Sequence, residues 1–332
     1  MYALLGICIV LAALLTTNAL GTLLASALWR MVAARAEHWS AETRARVLFV
    51  LRLFPLIGAT ACVLALLAPS YLAHEPAATH EVVSTKLALL AAASAIGIAL
   101  ALWRGIASWR ATRRLLADWL RHAEPLTVDG IKIPAYRIRH PFPVIAIVGA
   151  LKPRLFIASQ VFDTLDEEEI AAAVAHERGH LTMFDNLKRT ALRACRDALL
   201  IVPCGRLLDR AWSEASEAAA DEFAARGGAR IALDLASALV KLARIVQPDA
   251  KPTMPAVAFL VGEDVGGVVW RVRRLTQLAS DQNLPARPLY ASTTMLFSGL
   301  CAALLALALV ATNSSVLWTM HRAIERVVSL LS

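Results

Sequence analysis

Residues 165–184 read LDEEEIAAAVAHERGHLTMF, and the rest of the chain is arranged around this stretch. The acids Asp166, Glu167, Glu168 and Glu169 suit the positive end of a helix. Thr164 and Glu167 have the spacing of a capping box. Ile170, Val174 and the alanines between them carry an apolar face as far as His180. The stretch therefore predicts a helix over 165–184. His176 and His180 lie four residues apart, about one turn, so both imidazoles leave the same face and can meet one metal ion.

His176-Glu177-Arg178-Gly179-His180 has the H-E-x-x-H spacing of zinc peptidases. A catalytic zinc takes three protein ligands and leaves a fourth position for water, beside which Glu177 would stand as general base. A third ligand must come from another segment. The next helical stretch with acids at turn spacing is Ser213 to Ala225, where Glu217 and Asp221 share a face. In the functional reading Glu217 completes the ligand set of one Zn²⁺ per chain, and Asp221 accepts the spare N–H of a ligating histidine. The bland reading is a solvated acidic face, because Glu214 and Glu222 lie there too.

Hydrophobic residues make up 58% of the 332 and the mean hydropathy is +0.57. Ordinary soluble chains are about 45–50% apolar, so membrane spans are expected. Apolar runs at about 3–29, 47–71, 86–103 and 290–312 are long enough, since a span needs about 20 residues. Arginines follow the first and third runs, whereas Leu72 to Thr85 carries Glu75 and Glu81 and no Lys or Arg. By the positive-inside rule the N-terminus lies outside an inner, multi-pass cell membrane, and residues 105–289 form a cytoplasmic domain between spans three and four. The net charge of +8 fits this topology, and no groove-reading or base-stacking motif accompanies it, so nucleic acid is not an expected partner. The five cysteines have no C-x-x-C spacing and read as small buried hydrophobes. His74-Glu75 and His80-Glu81 lack a third ligand spacing and read as a polar loop.

Trp103 to His122 mixes Trp, Leu and Ile with arginines, as does a helix in the headgroup region or an amphipathic core helix. Residues 125–160 read as a small sheet, with alternation over Val128 to Ile138 and β-prone runs at 144–148 and 154–158. Arg154, Leu155, Phe156, Ile157 and Ala158 are the candidate edge strand that would hold a substrate extended, or else an ordinary core strand. Helices are expected over Asp185 to Val202, Ala229 to Val246 and Val265 to Leu278. In the last, Arg271 or Arg274 could stabilise negative charge in the transition state, or simply form a basic face ahead of a span. Residues 313–332 read as a short amphipathic tail with no folded domain after it.

Three spans, an H-E-x-x-H domain and a fourth span resemble the bacterial integral-membrane zinc metallopeptidases related to the BlaR and MecR sensor-transducers. The resemblance rests on Val148-Gly149-Ala150-Leu151-Lys152-Pro153-Arg154, on Ala175 to His180 with Asp185 five residues on, on Glu217-Ala-Ala-Ala-Asp221-Glu222, and on Arg271-Val272-Arg273-Arg274-Leu275. It implies a mainly α membrane protein with a zincin-like α+β domain, a metal held by His176, His180 and Glu217, and Glu177 as base. It further implies a metalloendopeptidase of the gluzincin type acting on a protein substrate, such as a regulator or the chain itself, in signal transduction at the bilayer. Those sensor-transducers carry a penicillin-binding domain after the fourth span; none is expected here, where residues 313–332 read as a short tail. The prenyl-protein and heat-shock membrane proteases share the metal motif with a different span order and stand second. The competing class is a non-catalytic zinc-binding scaffold or signalling partner. Retention of Glu177 argues against it, because a structural zinc is closed by four protein ligands and needs no base.

Overall fold

The computed structural model describes residues 2–75, 83–199, 205–245, 265–280, 298, 299, 302, 305, 306 and 309–331. Among these, three stretches are long and apolar enough to cross a membrane, which suggests a membrane protein: α1 (Tyr2–Ala36), Ala41–His74 and α4 (Thr85–Arg121). The second is α2 (Ala41–Cys62), a π-helical turn at Val63–Leu67 and α3 (Ala68–His74). Pro55 sits inside α2 without ending it. More than half of the expected fourth span, 290–312, lies outside the described residues. Beyond it, α11 (Ser314–Leu331) rests Ile324, Met320 and Val328 in a cluster with Leu5, Tyr71 and Leu87 at one end of the spanning helices.

At about 1.5 Å per residue α4 is about 55 Å long, against about 30 Å of hydrocarbon in a bilayer. The stretch from Trp103 onward is therefore the continuation of a spanning helix rather than a separate one. Its last turns join the folded domain, with Trp119 buried and Leu115, Leu116 and Leu120 packed beside it. Trp103, Ile106 and Trp109 stay exposed.

The domain holds a four-stranded sheet, β1 (Glu124–Leu126), β2 (Ala135–Ile138), β3 (Ile145–Val148) and β4 (Arg154–Ala158), in the order β1-β2-β4-β3. β2 and β4 are parallel; the other two pairs are antiparallel. The alternation over 128–138 does not become one strand, because Gly130 adopts φ +77° and residues 127–134 form a loop. The expectation that Arg154 to Ala158 lies at an edge is overturned. That run is apolar at successive positions, and Leu155, Phe156, Ile157 and Ala158 are all fully buried, as suits a strand covered on both faces and paired on both sides. The edge beside the motif helix is β3.

Helices α5 (Ser159–Thr164), α6 (Glu167–Thr182), α7 (Asp185–Ala198), α8 (Arg206–Ala225), α9 (Ala229–Ile245) and α10 (Val265–Ser280) follow. The capping box of α6 is Asp166 with Glu169, two residues beyond the expected pair. Thr164 instead ends α5, its hydroxyl donating to the Gln160 carbonyl at 2.8 Å. One core joins the sheet to α6, α9, α10 and the last turns of α4. At Gly179 α6 lies close against α8: a Cβ there would lie 3.0 Å from the Ala220 Cα. The glycine thus brings two helices to backbone contact, at a cost of about 1 kcal/mol in helix propensity relative to alanine.

Candidate metal centre

α6 presents His176 and His180 on one buried face, and α8 brings Glu217 opposite them. The two imidazole rings stand perpendicular with centroids 4.8 Å apart. One ligand atom from each of the three residues lies within 4.8 Å of the others, an arrangement that could hold a metal ion. Glu217 Oε1 is 3.5 Å from His180 Nε2, and Oε2 is 3.6 Å from His176 Nε2.

Each histidine is oriented from behind. Asp221 Oδ1 is 2.9 Å from His176 Nδ1, and Asp185 Oδ2 is 2.8 Å from His180 Nδ1. Asp185 also accepts from the Ser216 hydroxyl at 2.7 Å. A carboxylate on Nδ1 fixes the tautomer that leaves Nε2 as a lone-pair donor. His180 Nε2 is buried and makes no hydrogen bond among the described residues. A buried imidazole nitrogen without a partner is costly, and a cation beside Glu217 would satisfy it. The donor set therefore fits a divalent ion with nitrogen and oxygen ligands.

Charge in the site is set by these contacts. Burial pushes the His180 pKa down, but Glu217 and the Asp185 hydrogen bond outweigh it and raise the ring to about 10. For Asp221 burial is opposed by Arg271 and His176, and its carboxyl falls to about 2. Glu217 is held well below the usual carboxylate range by His180, His176 and Arg271, despite burial. Glu177 moves the other way: burial raises its carboxyl against the pull of both histidines. Its Oε2 accepts from the Ile147 amide at 3.2 Å, while Oε1 is buried with no hydrogen-bond partner among the described residues.

The two candidate arginines part company. Arg271 is buried in the site, donating to Asp221 at 2.7 and 2.9 Å and standing 3.4 Å from Glu217 Oε2. Its Nη2 also lies 3.3 Å from His176 Nδ1. Arg274 pairs with Glu222 on a different face of α8, which takes it out of a transition-state role. Glu222 is buried, so the solvated-face reading of α8 holds for Glu214 but not for Glu222. Sequence reasoning assigned no role to Asp185, Ser216 or Arg189, whose guanidinium donates to Glu217 Oε1 at 3.0 Å. Of these only Asp185 left a signal, its place five residues after His180.

The β3 edge runs alongside. Ala158 N donates to Val144 O at 2.8 Å; alternation along an antiparallel ladder then turns the amides and carbonyls of Ile145 and Ile147 away from β4. Asn186 Nδ2 donates to the outward Ile147 carbonyl at 2.8 Å. A groove of about 100 Å³ opens here, with Glu177 and His180 at its base and Ile147, Leu151, Leu181 and Phe184 among its walls. Leu151 and Phe184 are apolar yet exposed, and Phe184 is held at φ +55° between α6 and α7.

Residues 146–208 match Peptidase family M48. No curated protein matches the chain. The matched segment holds all of β3 but Ile145, together with β4, His176, Glu177, His180 and Asp185, and supports a metallopeptidase function. It stops short of Glu217, Asp221 and Arg271, which enter the site through tertiary structure.

Proposed function

We propose that the chain is a zinc-dependent endopeptidase of the membrane, resembling the BlaR and MecR type of peptidase, with its catalytic domain at the cytoplasmic face. The convergence of His176, His180 and Glu217, with Glu177 buried beside them, carries this reading. Zinc, when bound, would polarise the scissile carbonyl and lower the pKa of water from about 15.7 towards 7. Glu177 supplies proton transfer at Oε1. Its raised pKa brings the acid and base forms closer in energy near neutral pH, as a group that first accepts a proton and then donates it to the leaving amine requires. In the substrate-free site the Ile147 N–H holds Oε2. An extended substrate pairing with β3 would take over the Ile147 amide and carbonyl from Glu177 and Asn186, with an apolar side chain in the groove. Asp185 and Asp221 keep both imidazoles in the ligating tautomer, and Arg271 and Arg189 balance the charge of the acids.

The substrate on this reading is a protein, a regulator or the chain itself. The test is zinc stoichiometry and cleavage of the purified protein in detergent, with and without chelator, together with proteomes of cells carrying the parent or Glu177→Ala. Chelator-sensitive cutting that the variant lacks while retaining its zinc is the expected result. A Glu177→Ala protein that cuts at the parental rate overturns the assignment. Stoichiometric zinc with no turnover on any protein would instead identify a scaffold.

A further inference from the structure

The helix that supplies Glu217 and Asp221 is fastened along its other side to the second spanning helix. Ala215, Ala218, Ala219 and Glu222 on α8, and Arg226 at its C-cap, recur at three- and four-residue steps, a stripe rotated away from the Glu217–Asp221 face. Along that stripe α8 runs antiparallel to α2. Arg226 Nη2 is 3.6 Å from Glu42 Oε2; Ala41 packs with Ala218 and Ala219; Leu48 and Ala45 cluster with Ala215, Trp212 and Leu208. At the far end Arg52 Nε donates to Asp209 at 2.9 Å, and a Cβ on Gly205 would meet the Arg52 guanidinium carbon at 2.7 Å. Contact thus extends over nearly the whole of α8.

Glu222 holds the end of this seam nearest the metal ligands. Both its oxygens accept from the Ala41 amide, at 3.2 and 3.1 Å, and Arg274 donates to Oε1. Ala41 is the first residue of α2, just after the N-cap Ser40, which accepts from Thr43 N. A helix N-terminus offers donors without intrahelical partners, and here one of them is met by a carboxylate from another element. Asp221, the next residue back, holds His176. One turn of α8 therefore grips the start of a spanning helix on one side and a ligand histidine on the other.

We propose that Glu222 is a positioning residue: by clamping α8 to the first turn of α2 it sets where Glu217 and Asp221 stand, so that the lie of the second spanning helix is read at the metal centre. The inference rests on the metal-centre reading above. Helix α8 is stiff over one turn, so a shift of its anchored face is transmitted to the ligand face. Outer partners of metal ligands typically change metal affinity by about 10- to 100-fold when altered. Glu222 acts one residue further out, and the lower part of that range is expected.

The experiment uses the full chain in detergent and the metal alone as probe. Co²⁺ and Zn²⁺ affinities are measured by chelator competition, and the visible spectrum of the Co²⁺ form reports ligand geometry. Glu222→Gln removes the charge that faces Arg274 and replaces one of the two accepting oxygens by an N–H₂ among donors that already point at this site, so it weakens the clamp with little change of shape. Glu214→Gln, on the exposed Arg210–Glu214 pair of the same helix, is the control. The expected result is an affinity lowered about tenfold and a changed cobalt spectrum for Glu222→Gln, with Glu214→Gln parental in both. Parental affinity and spectrum in Glu222→Gln overturn the proposal. Should that variant not fold, Glu222→Asp, which keeps the charge but falls one methylene short, must show the same changes in smaller measure, and a parental spectrum there overturns it equally. Glu217→Ala separates the two levels: if it binds metal as the parent does, the centre itself is wrongly assigned, whereas its failure to bind beside a parental Glu222→Gln removes only the clamp.

Discussion

Replacing Gly179 by alanine sets two effects of known size against each other. An interior helical glycine made alanine gains about 1 kcal/mol from propensity. The new methyl, however, would stand 3.0 Å from the Ala220 Cα, 3.2 Å from the Phe223 Cβ and 3.3 Å from the Ala220 Cβ. Carbon pairs are most comfortable at about 3.5–4.0 Å. The nearest atom is backbone, so relief requires α8 to back away from α6 by about 0.5 Å, and overpacking of this kind costs about 1–3 kcal/mol. Stability should therefore change by somewhere between nothing and a loss of about 2 kcal/mol. Function should suffer more, because α6 and α8 carry opposite halves of the ligand set, and a misplacement of about 1 Å in such a site can cost about a hundredfold. The expected outcome is metal affinity lowered at least tenfold, with cleavage lowered further, in a protein that still melts cooperatively. Chelator competition and thermal unfolding of the metal-free form measure both. Gly267→Ala serves as control, since nothing lies within 4 Å of a Cβ there. A Gly179→Ala protein more stable by about 1 kcal/mol, with parental metal affinity, would show that the helices do not meet as described.

The other expectations concern the charges behind the ligands. In the metal-free protein His180, raised to about 10, carries a proton at neutral pH, and a metal must displace it. Affinity should therefore rise about tenfold per pH unit between pH 7 and 9 and level off above about 10; a flat profile in chelator competition over that range contradicts the His180 environment. The sign for folding is opposite: because this pKa is raised on folding, its contribution to metal-free stability is complete below about 6.5 and disappears as pH climbs through about 10. Asp221, at about 2, stays charged throughout and adds no slope. Asp185→Asn should weaken metal binding about 10- to 100-fold by losing the charge behind His180 Nδ1, while Asp163→Asn, at a surface position of α5, should leave it unchanged. Equal affinities in these two variants would leave Asp185 without the orienting role.

What local pattern can encode was open to reading in the sequence. The four-residue step from His176 to His180, and again from Glu217 to Asp221, fixes which side chains share a helix face whatever surrounds them. The apolar runs announced spanning helices, of which three candidates stand among the described residues, because no folded alternative buries so much continuous apolar length. The runs at 144–148 and 154–158 are strands for the same local reasons. Which strand lies at the edge was not legible: Arg154 to Ala158 became interior because β2 returned to pair with it in parallel, a choice made between segments about 20 residues apart. Nor could sequence distinguish Glu222 from its solvated neighbour Glu214, since only the docking of α2 along α8 decides which acid is buried. Asp185 likewise acquired its role when the turn at Phe184 swung α7 so that its first carboxylate faced the preceding helix. By itself, then, the sequence determined the facing histidines, the carboxylate between them and the presence of helices long and apolar enough to span a bilayer, because these depend on spacing and composition along one segment. The meeting of Glu217 with those histidines, the exposed β3 edge and the clamp on α2 were decided by tertiary structure, because each requires two surfaces distant in the chain to bury one another.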